Sequence, residues 1–306
     1  MFFAFSIFFW LTHILASIIR GLGNTYIPSK AIVIGSLCQI ILSYVFTFGI
    51  YDSFKFGILG PAISIVICHI IMMAYLFYYL IFKQSILKVK FHKFSNLIFI
   101  DIMKVGGLGL LNSITIALTV GVMTGYIGNF GPNALAGYGI GARLELILTP
   151  IIFGIGAALT ASVSINFGSK QFARARKIAL TGGIVCFLII GFIGLFINLF
   201  PQFLYQNFSS NPDVIKYCLK YILIVTPFYC LFGFGQAIYF SSQGTGKMIK
   251  PILVGILRFS CVVLFGYLAV SRNLSIDYVL YSVSIGLIIT GVGMFLCLLG
   301  KEWKGL

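Results

Sequence analysis

An acidic residue stands inside an apolar stretch of this chain, where a carboxylate is costly to keep. Glu145 follows Arg143 within residues 135–168, which read LAGYGIGARLELILTPIIFGIGAALTASVSINFG. A charge in an apolar span of about membrane thickness is expensive and usually has a function. A carboxylate held there can take up and release a proton or ligate a sodium ion. Glu145 is therefore a candidate for binding a coupling cation.

The alternative for Glu145 is a structural ion pair, and the residues leave both roles equally open. Arg143 is two positions away, so on a helix the two side chains point to different faces. Arg258, which lies in another apolar span, is the better partner. The remaining acidic residues of the chain all lie in connections or at span edges: Asp52, Asp101, Asp213, Asp277 and Glu302.

Several polar side chains also occur in the middle of apolar spans, where they must face the protein interior or a wet cavity. They could line a substrate cavity or simply hydrogen-bond neighbouring helices. Tyrosine rings there could face an organic cation, although membrane-interface belts use tyrosine as well. The candidates for a substrate cavity are Asn112, Thr115, Tyr138, Arg143, Gln236, Tyr239 and Arg258.

Enzyme and metal chemistry have no candidate residues in this sequence. It contains no Ser-His-Asp set, no HExxH sequence and no acidic metal cluster. The cysteines lie in or beside apolar spans without a CxxC pair, which favours small core side chains over metal ligands. We therefore expect no catalytic residues, no metal and no cofactor other than a coupling ion.

The elements that must position these residues are membrane-spanning helices. Of 306 residues, 60% are hydrophobic and only 9% are charged, and the mean hydropathy is +1.08. Long uncharged stretches predict an all-α polytopic membrane protein. Pro150 and Pro227 lie inside two of the spans and should kink them. We predict nine transmembrane helices, over residues 1–19, 29–50, 56–82, 100–128, 138–162, 176–200, 215–241, 250–270 and 276–299.

The net charge of +15 reflects membrane orientation rather than nucleic-acid binding. Fifteen of the 21 Lys and Arg residues belong to alternate connections and the tail: 20–30, 83–99 with Lys104, 163–179, 242–250 and 300–306. The opposite connections hold four, Lys55, Lys216, Lys220 and Arg272. The positive-inside rule makes the rich side, and with it the C-terminus, cytoplasmic.

A short internal repeat predicts a two-lobe protein. Gly21-Leu22-Gly23 with Pro28 matches Gly244-Thr245-Gly246 with Pro251, and a long apolar span follows each. The two copies share an orientation, which indicates a parallel repeat, as many transporters have. Residues 100–306 then form a complete six-helix lobe, and residues 1–99 form the last three helices of the other lobe with its cytoplasmic connection. The repeat predicts that roughly 120 residues of the first half precede Met1.

The residues AGYGIGARLE and NFGSKQFARAR, at 136–145 and 166–176, closely resemble the eighth span and following loop of multidrug and toxic compound extrusion (MATE) transporters. RGLGNTYIP at 20–28 and QGTGKMIKP at 243–251 are similar to the family's loops after its fourth and tenth spans. The resemblance covers essentially the whole chain. It implies that the nine spans are the fourth to twelfth of a twelve-helix, two-lobe MATE-type transporter.

The resemblance implies secondary-active efflux of organic, often cationic, drugs or metabolites in exchange for sodium ions or protons. It also implies a multi-pass protein of the bacterial inner membrane, acting as a monomer without nucleic acid. Family members usually carry coupling acids in the first span, or in the seventh and tenth. Residues 105–128 and 217–241 contain none, while Glu145 matches the family's ARLE position. The resemblance leaves coupling by an aspartate of the first lobe, in a span preceding Met1, as the simpler alternative to coupling by Glu145.

Two other functions stay open. A lipid-linked oligosaccharide flippase of the same superfamily would line its cavity with several basic residues for a pyrophosphate, and here only Arg143 and Arg258 qualify. A non-transporting membrane scaffold subunit, as in a respiratory complex, would carry lysines and carboxylates through successive spans. The sequence lacks that series.

Overall fold

The computed structural model describes residues 5–49, 55–83, 95–206 and 208–304. All regular structure in those ranges is helical. The chain divides into two compact units, Met1–Phe94 and Ser95–Leu306. The predicted cytoplasmic connection at 83–99, with three of its lysines, lies mostly outside the described residues.

The described residues of the first unit form three α-helices, α1 (Ser6–Gly21), α2 (Tyr26–Phe48) and α3 (Gly60–Tyr78). A 3₁₀ turn, Gly57–Leu59, leads into α3, and a π-helical turn, Tyr79–Lys83, continues it. Helix α3 packs on both α1 and α2. The core of the first unit contains the aliphatic side chains Leu15, Ile19 and Leu76, as expected of neighbouring apolar helices.

The second unit contains eight helices. They are α4 (Asn96–Gly128), α5 (Pro132–Gly168), α6 (Phe172–Leu199), the short α7 (Gln202–Tyr205), α8 (Pro212–Val225), α9 (Tyr229–Thr245), α10 (Ile249–Ser271) and α11 (Ile276–Leu299). Helix α9 lies at the centre, in contact with α5, α6 and α11, and α4 packs mainly on α10. A 3₁₀ turn, Lys301–Lys304, ends the described chain.

The polytopic membrane fold is confirmed. Within the described ranges, eight helical stretches are long and apolar enough to cross a membrane, and α1 is a shorter apolar helix. These nine stretches coincide with the nine predicted spans. Helix α5 runs without interruption through Pro150.

The predicted span at 215–241 is a broken helix. The 3₁₀ turn Thr226–Phe228 separates α8 from α9, and Pro227, which was predicted to bend the span, lies in it. A proline has no N–H to donate to the preceding turn, so the α-helical hydrogen bonding stops there. Asn198 on α6 donates to the Ile222 carbonyl and the Thr226 hydroxyl, both at 3.2 Å. The break is therefore held by a neighbouring helix.

The repeated glycine motif has the same local structure in both units. Gly23 and Gly246 have positive φ angles of 88° and 72°, a conformation that glycine adopts without steric cost. Three residues later a 23-residue helix begins in each unit, α2 and α10, with Pro28 or Pro251 as its third residue. The match seen in the sequence is thus a repeat of a helix–turn–helix geometry.

Connections predicted to share a membrane face lie together in the second unit. The Lys247 ammonium is 5.9 Å from the centre of the Phe167 ring, which links the α9–α10 turn to the end of α5. Trp303 is buried in a cluster that includes Ala175 and Met248, so the C-terminal turn lies at the same end. That this end faces the cytoplasm stays a prediction.

Candidate functional site

A cavity of about 790 Å³ lies within the second unit, a volume in the usual range for binding small organic molecules. Residues of α4, α5, α9, α10 and α11 line it. Its wall is mostly apolar, and the polar side chains that line it are Asn112, Ser113, Thr119, Glu145, Thr149, Thr160, Gln236, Tyr239, Gln243 and Arg258. Five of the sequence candidates therefore come together in one cavity from four helices.

Glu145 is held by a tyrosine that the sequence analysis did not single out. Its Oε1 atom accepts a hydrogen bond of 2.9 Å from the Tyr221 hydroxyl. The Tyr221 and Tyr229 hydroxyls are also 2.9 Å apart, and both rings are fully buried. Tyr221 belongs to α8 and Tyr229 begins α9. The carboxylate on α5 is thus connected to both sides of the helix break.

Glycine on α5 makes this contact possible. A Cβ atom on Gly141 would overlap the Tyr221 ring, and one on Gly137 would come within 2.6 Å of the Val214 carbonyl oxygen. Because residues four apart share a helix face, Gly137, Gly141 and Glu145 lie in one row toward α8. The ring of Tyr221 occupies the space at Gly141, and its hydroxyl reaches the next turn. The spacing in GIGARLE is therefore a packing requirement for the Glu145 contact.

A second polar group of the cavity centres on Tyr239 of α9. Asn112 on α4 and Gln243 on α9 lie with Tyr239 in this wall. Asn112 and Tyr239 are both buried, at 8% and 5% exposure. Asn112 was predicted either to line a cavity or to hydrogen-bond another helix, and the structure places it in the cavity wall.

Arg258 projects from α10 into the same wall and is 8% exposed. Its Nε and Nη2 atoms are buried and have no hydrogen-bond partner. Within the described part of the chain, no Arg258 nitrogen lies within 4.0 Å of a Glu145 oxygen. The two residues share the cavity without forming the ion pair that the sequence left open.

Three other candidates lie outside the cavity wall. Arg143 is exposed, and its guanidinium carbon is 4.7 Å from the centre of the Phe208 ring, a cation–π contact. Tyr138 is buried edge-on against Tyr221, with ring centres 5.6 Å apart. Thr115 is buried and donates to the Asn112 carbonyl at 2.8 Å. They support helices beside the cavity.

The contact between Tyr221 and Glu145 had only an indirect signal in the sequence. Tyr221 is 76 positions from Glu145, and tyrosine is common in this chain, with 16 residues. The one available indication was the pair of glycines spaced four apart before Glu145, which shows that something large packs there. It does not show which residue.

Comparisons with known proteins identify relatives among membrane transporters. A model of the MatE family matches residues 104–268. The probable multidrug resistance protein YoeA of Bacillus subtilis is 22% identical over 254 residues, covering 81% of this chain and 55% of that protein. The probable multidrug resistance protein NorM of Thermotoga maritima is 23% identical over 250 residues, covering 80% and 53%. The chain thus spans about half the length of the curated relatives it matches.

The fold agrees with solved structures. A crystal structure of MATE in complex with MaL6 superimposes with a TM-score of 0.88 at 21% identity, covering 99% of this chain and 69% of that one. The family model covers more than half of the chain, including α4 with Asn112, α5 with Glu145, and Arg258. The chain therefore belongs to the MatE family, the multidrug and toxic compound extrusion transporters of the membrane.

Proposed function

We propose that this chain carries the cation-coupling site of a secondary-active exporter that exchanges small organic compounds for protons or sodium ions. The observation that supports this most directly is Glu145, an acidic side chain in the wall of an apolar cavity inside a membrane protein. A carboxylate at such a place is costly unless it is used. No cofactor other than the coupling ion is part of the proposal.

The hydrogen bonds of Glu145 suggest how cation binding is communicated. An ionised carboxylate only accepts hydrogen bonds, whereas a protonated one must also donate. Protonation would weaken the hydrogen bond that Tyr221 donates, because a neutral carboxyl group is a weaker acceptor than a carboxylate. A bound sodium ion would compete with the hydroxyl for the carboxylate oxygens. Tyr221 and Tyr229 lie on the two sides of the Thr226–Phe228 break. A change at Glu145 would thus act on the point of this span where α-helical hydrogen bonding is already interrupted.

The exchange follows if the cation and the substrate compete for Glu145. A cationic substrate in the cavity would displace the coupling ion from the carboxylate, and the returning ion would displace the substrate. Such reciprocal effects on affinity are what thermodynamic linkage requires of an antiporter. The rest of the cavity wall, including Phe153, Phe232 and Phe240, offers apolar surface for the organic part.

The proposal is tested by Glu145→Gln in the complete gene product, reconstituted in vesicles. An amide keeps the size and the ability to accept a hydrogen bond, but it carries no charge to exchange. We expect transport of a fluorescent organic cation to lose its dependence on proton and sodium gradients, and drug resistance of cells to disappear at unchanged protein level.

The control is Asp213→Asn, which neutralises an exposed acid at the start of α8, outside the cavity wall. It should transport as the parent protein does. Gradient-driven transport that persists at the parent rate in Glu145→Gln would refute the coupling role of Glu145.

A further inference from the structure

Arg258 has a feature that the coupling role of Glu145 does not use. Its Nε and Nη2 atoms form one edge of the guanidinium, and both are without a hydrogen-bond partner. The two N–H bonds on that edge are parallel and match the two oxygens of a carboxylate. A buried charge without partners is strongly unfavourable, so a protein keeps one where a partner joins it in another state.

The stem of the Arg258 side chain packs closely against α11. A Cβ on Gly286 would lie 3.4 Å from the Arg258 Cγ and 2.6 Å from a Val262 methyl group. Glycine at this position therefore lets α10 and α11 pack closely with the arginine stem between them. The guanidinium edge is covered in this conformation, while the side chain lines the cavity. Rotation of its side-chain torsions would present the edge to a ligand.

The internal repeat shows that the arginine is not required by the helix framework. Helices α2 and α10 are the equivalent 23-residue helices, and the tenth residue is Gly35 in one and Arg258 in the other. In the first unit this position is filled by the partner helix, since a Cβ on Gly35 would clash with Met72. The two equivalent helices therefore form with a glycine at this position in one unit and with a positively charged arginine in the other.

We propose that Arg258 binds a carboxylate group of the substrate, so that the cavity favours zwitterionic organic compounds over purely cationic ones. The cavity wall has one acidic and one basic side chain within the described residues, Glu145 and Arg258. They are not paired with each other, so each can take the oppositely charged group of one ligand. Asn112 and Gln236 offer neutral hydrogen bonds to the same wall. The inference rests on the proposed transport function and specifies its substrate class.

A matched pair of dyes tests it. A rhodamine with a free benzoic acid is zwitterionic at neutral pH, and its methyl ester is a cation of nearly the same shape. Binding to the purified complete protein in lipid nanodiscs is measured by fluorescence anisotropy without any ion gradient. We expect the acid to bind about tenfold more tightly than the ester, the scale of one charged hydrogen-bonded pair. Arg258→Gln should remove this difference, and Arg258→Lys should keep part of it.

Arg272→Gln is the matched control, because it neutralises an exposed arginine at the end of the same helix. It should keep the parent's preference. Equal binding of the acid and the ester by the parent protein would overturn the inference, as would an unchanged preference in Arg258→Gln. If Arg258→Gln does not fold, the folded Arg258→Lys protein decides. A reduced or lost preference for the acid in this variant supports contact between Arg258 and the carboxylate. A fully retained preference argues against that contact.

The two proposals fail separately. If the parent protein binds the acid and the ester equally but still transports along a gradient, the role of Arg258 is removed and the exporter remains. A preference that depends on Arg258 in a protein without gradient-driven transport leaves a binding site and removes the antiport mechanism.

Discussion

Glu145 owes its position to the residue one helical turn before it. Gly141 has no side chain, the Tyr221 ring fills the space, and the Tyr221 hydroxyl then reaches the Glu145 carboxylate at 2.9 Å. The acid itself could be predicted from the sequence because a charge in an apolar span stands out. Its partner could not, because the contact is set by how α5 and α8 pack and not by any local pattern.

Gly141→Ala should therefore disturb the site without removing any of its polar groups. The added methyl group would overlap the Tyr221 ring, and overpacking of this kind costs about 1–3 kcal/mol. We expect a lower thermal unfolding temperature of the purified protein and weaker gradient dependence of transport. Both are measured on the same preparation.

Gly139→Ala is the control on the same helix, because a Cβ at Gly139 would have no atom within 4 Å. It should unfold at the parent temperature or slightly above it, because alanine favours a helix over glycine by up to about 1 kcal/mol. Equal stability of the two alanine variants would mean that Tyr221 is not confined by Gly141.

At the level of elements, the broken span α8–α9 is the part of the molecule best suited to move. Pro227 allowed a bend to be predicted, but the sequence did not show that the α-helix stops and restarts around a 3₁₀ turn. Asn198 of α6 adds a contact from outside the span, because it donates to the Ile222 carbonyl and to the Thr226 hydroxyl, which also hydrogen-bond to each other. Pro150, by contrast, lies within an unbroken helix. A proline alone thus does not specify a break.

Pro227→Ala should restore an N–H that can bond to the preceding turn and so favour a continuous helix. If bending at this point is part of the transport cycle, we expect slower transport while dye binding in nanodiscs stays within about twofold of the parent, because no cavity residue changes. Transport rate in vesicles and anisotropy binding measure the two effects.

Pro212→Ala is the matched control, because Pro212 is the first residue of α8, where a missing N–H costs no helical hydrogen bond. Its transport rate should equal that of the parent. Unchanged transport by Pro227→Ala would show that the break is a static feature.

For the whole molecule, hydropathy was sufficient to predict where the apolar helices of the described ranges lie, since a lipid core permits few other structures. Eight of these helical stretches are long enough to span a membrane, and α1 is shorter. The glycine repeat recurs as a local geometry, with positive φ angles at Gly23 and Gly246 ahead of a 23-residue helix, while the parallel two-lobe arrangement inferred from it stays a prediction. The cavity was predicted in part. Polar residues in mid-span must face inward, but only packing decides that Asn112, Gln236 and Arg258 share a wall while Arg143 faces outward.

The chain aligns with a little over half of the length of each of two curated relatives, 55% of YoeA and 53% of NorM. Export by the complete protein is accordingly a proposal, as are its orientation with the C-terminus in the cytoplasm and its location in the bacterial inner membrane. All the residues that line the cavity, including Glu145, belong to helices of the second unit. The affinity of this cavity for cations can therefore be measured by binding, without a transport assay.

The central claim is that a substrate and a coupling cation compete for Glu145. The most direct measurement adds the rhodamine methyl ester to the purified protein, without a gradient, and records protons released into weakly buffered solution and radioactive sodium displaced from the protein. The ester has no carboxylate, so Arg258 does not enter the result. We predict release of one of the two cations by the parent protein and by Asp213→Asn, and none by Glu145→Gln. Equal release by Glu145→Gln, or binding of the dye to the parent without release of either cation, would contradict the account.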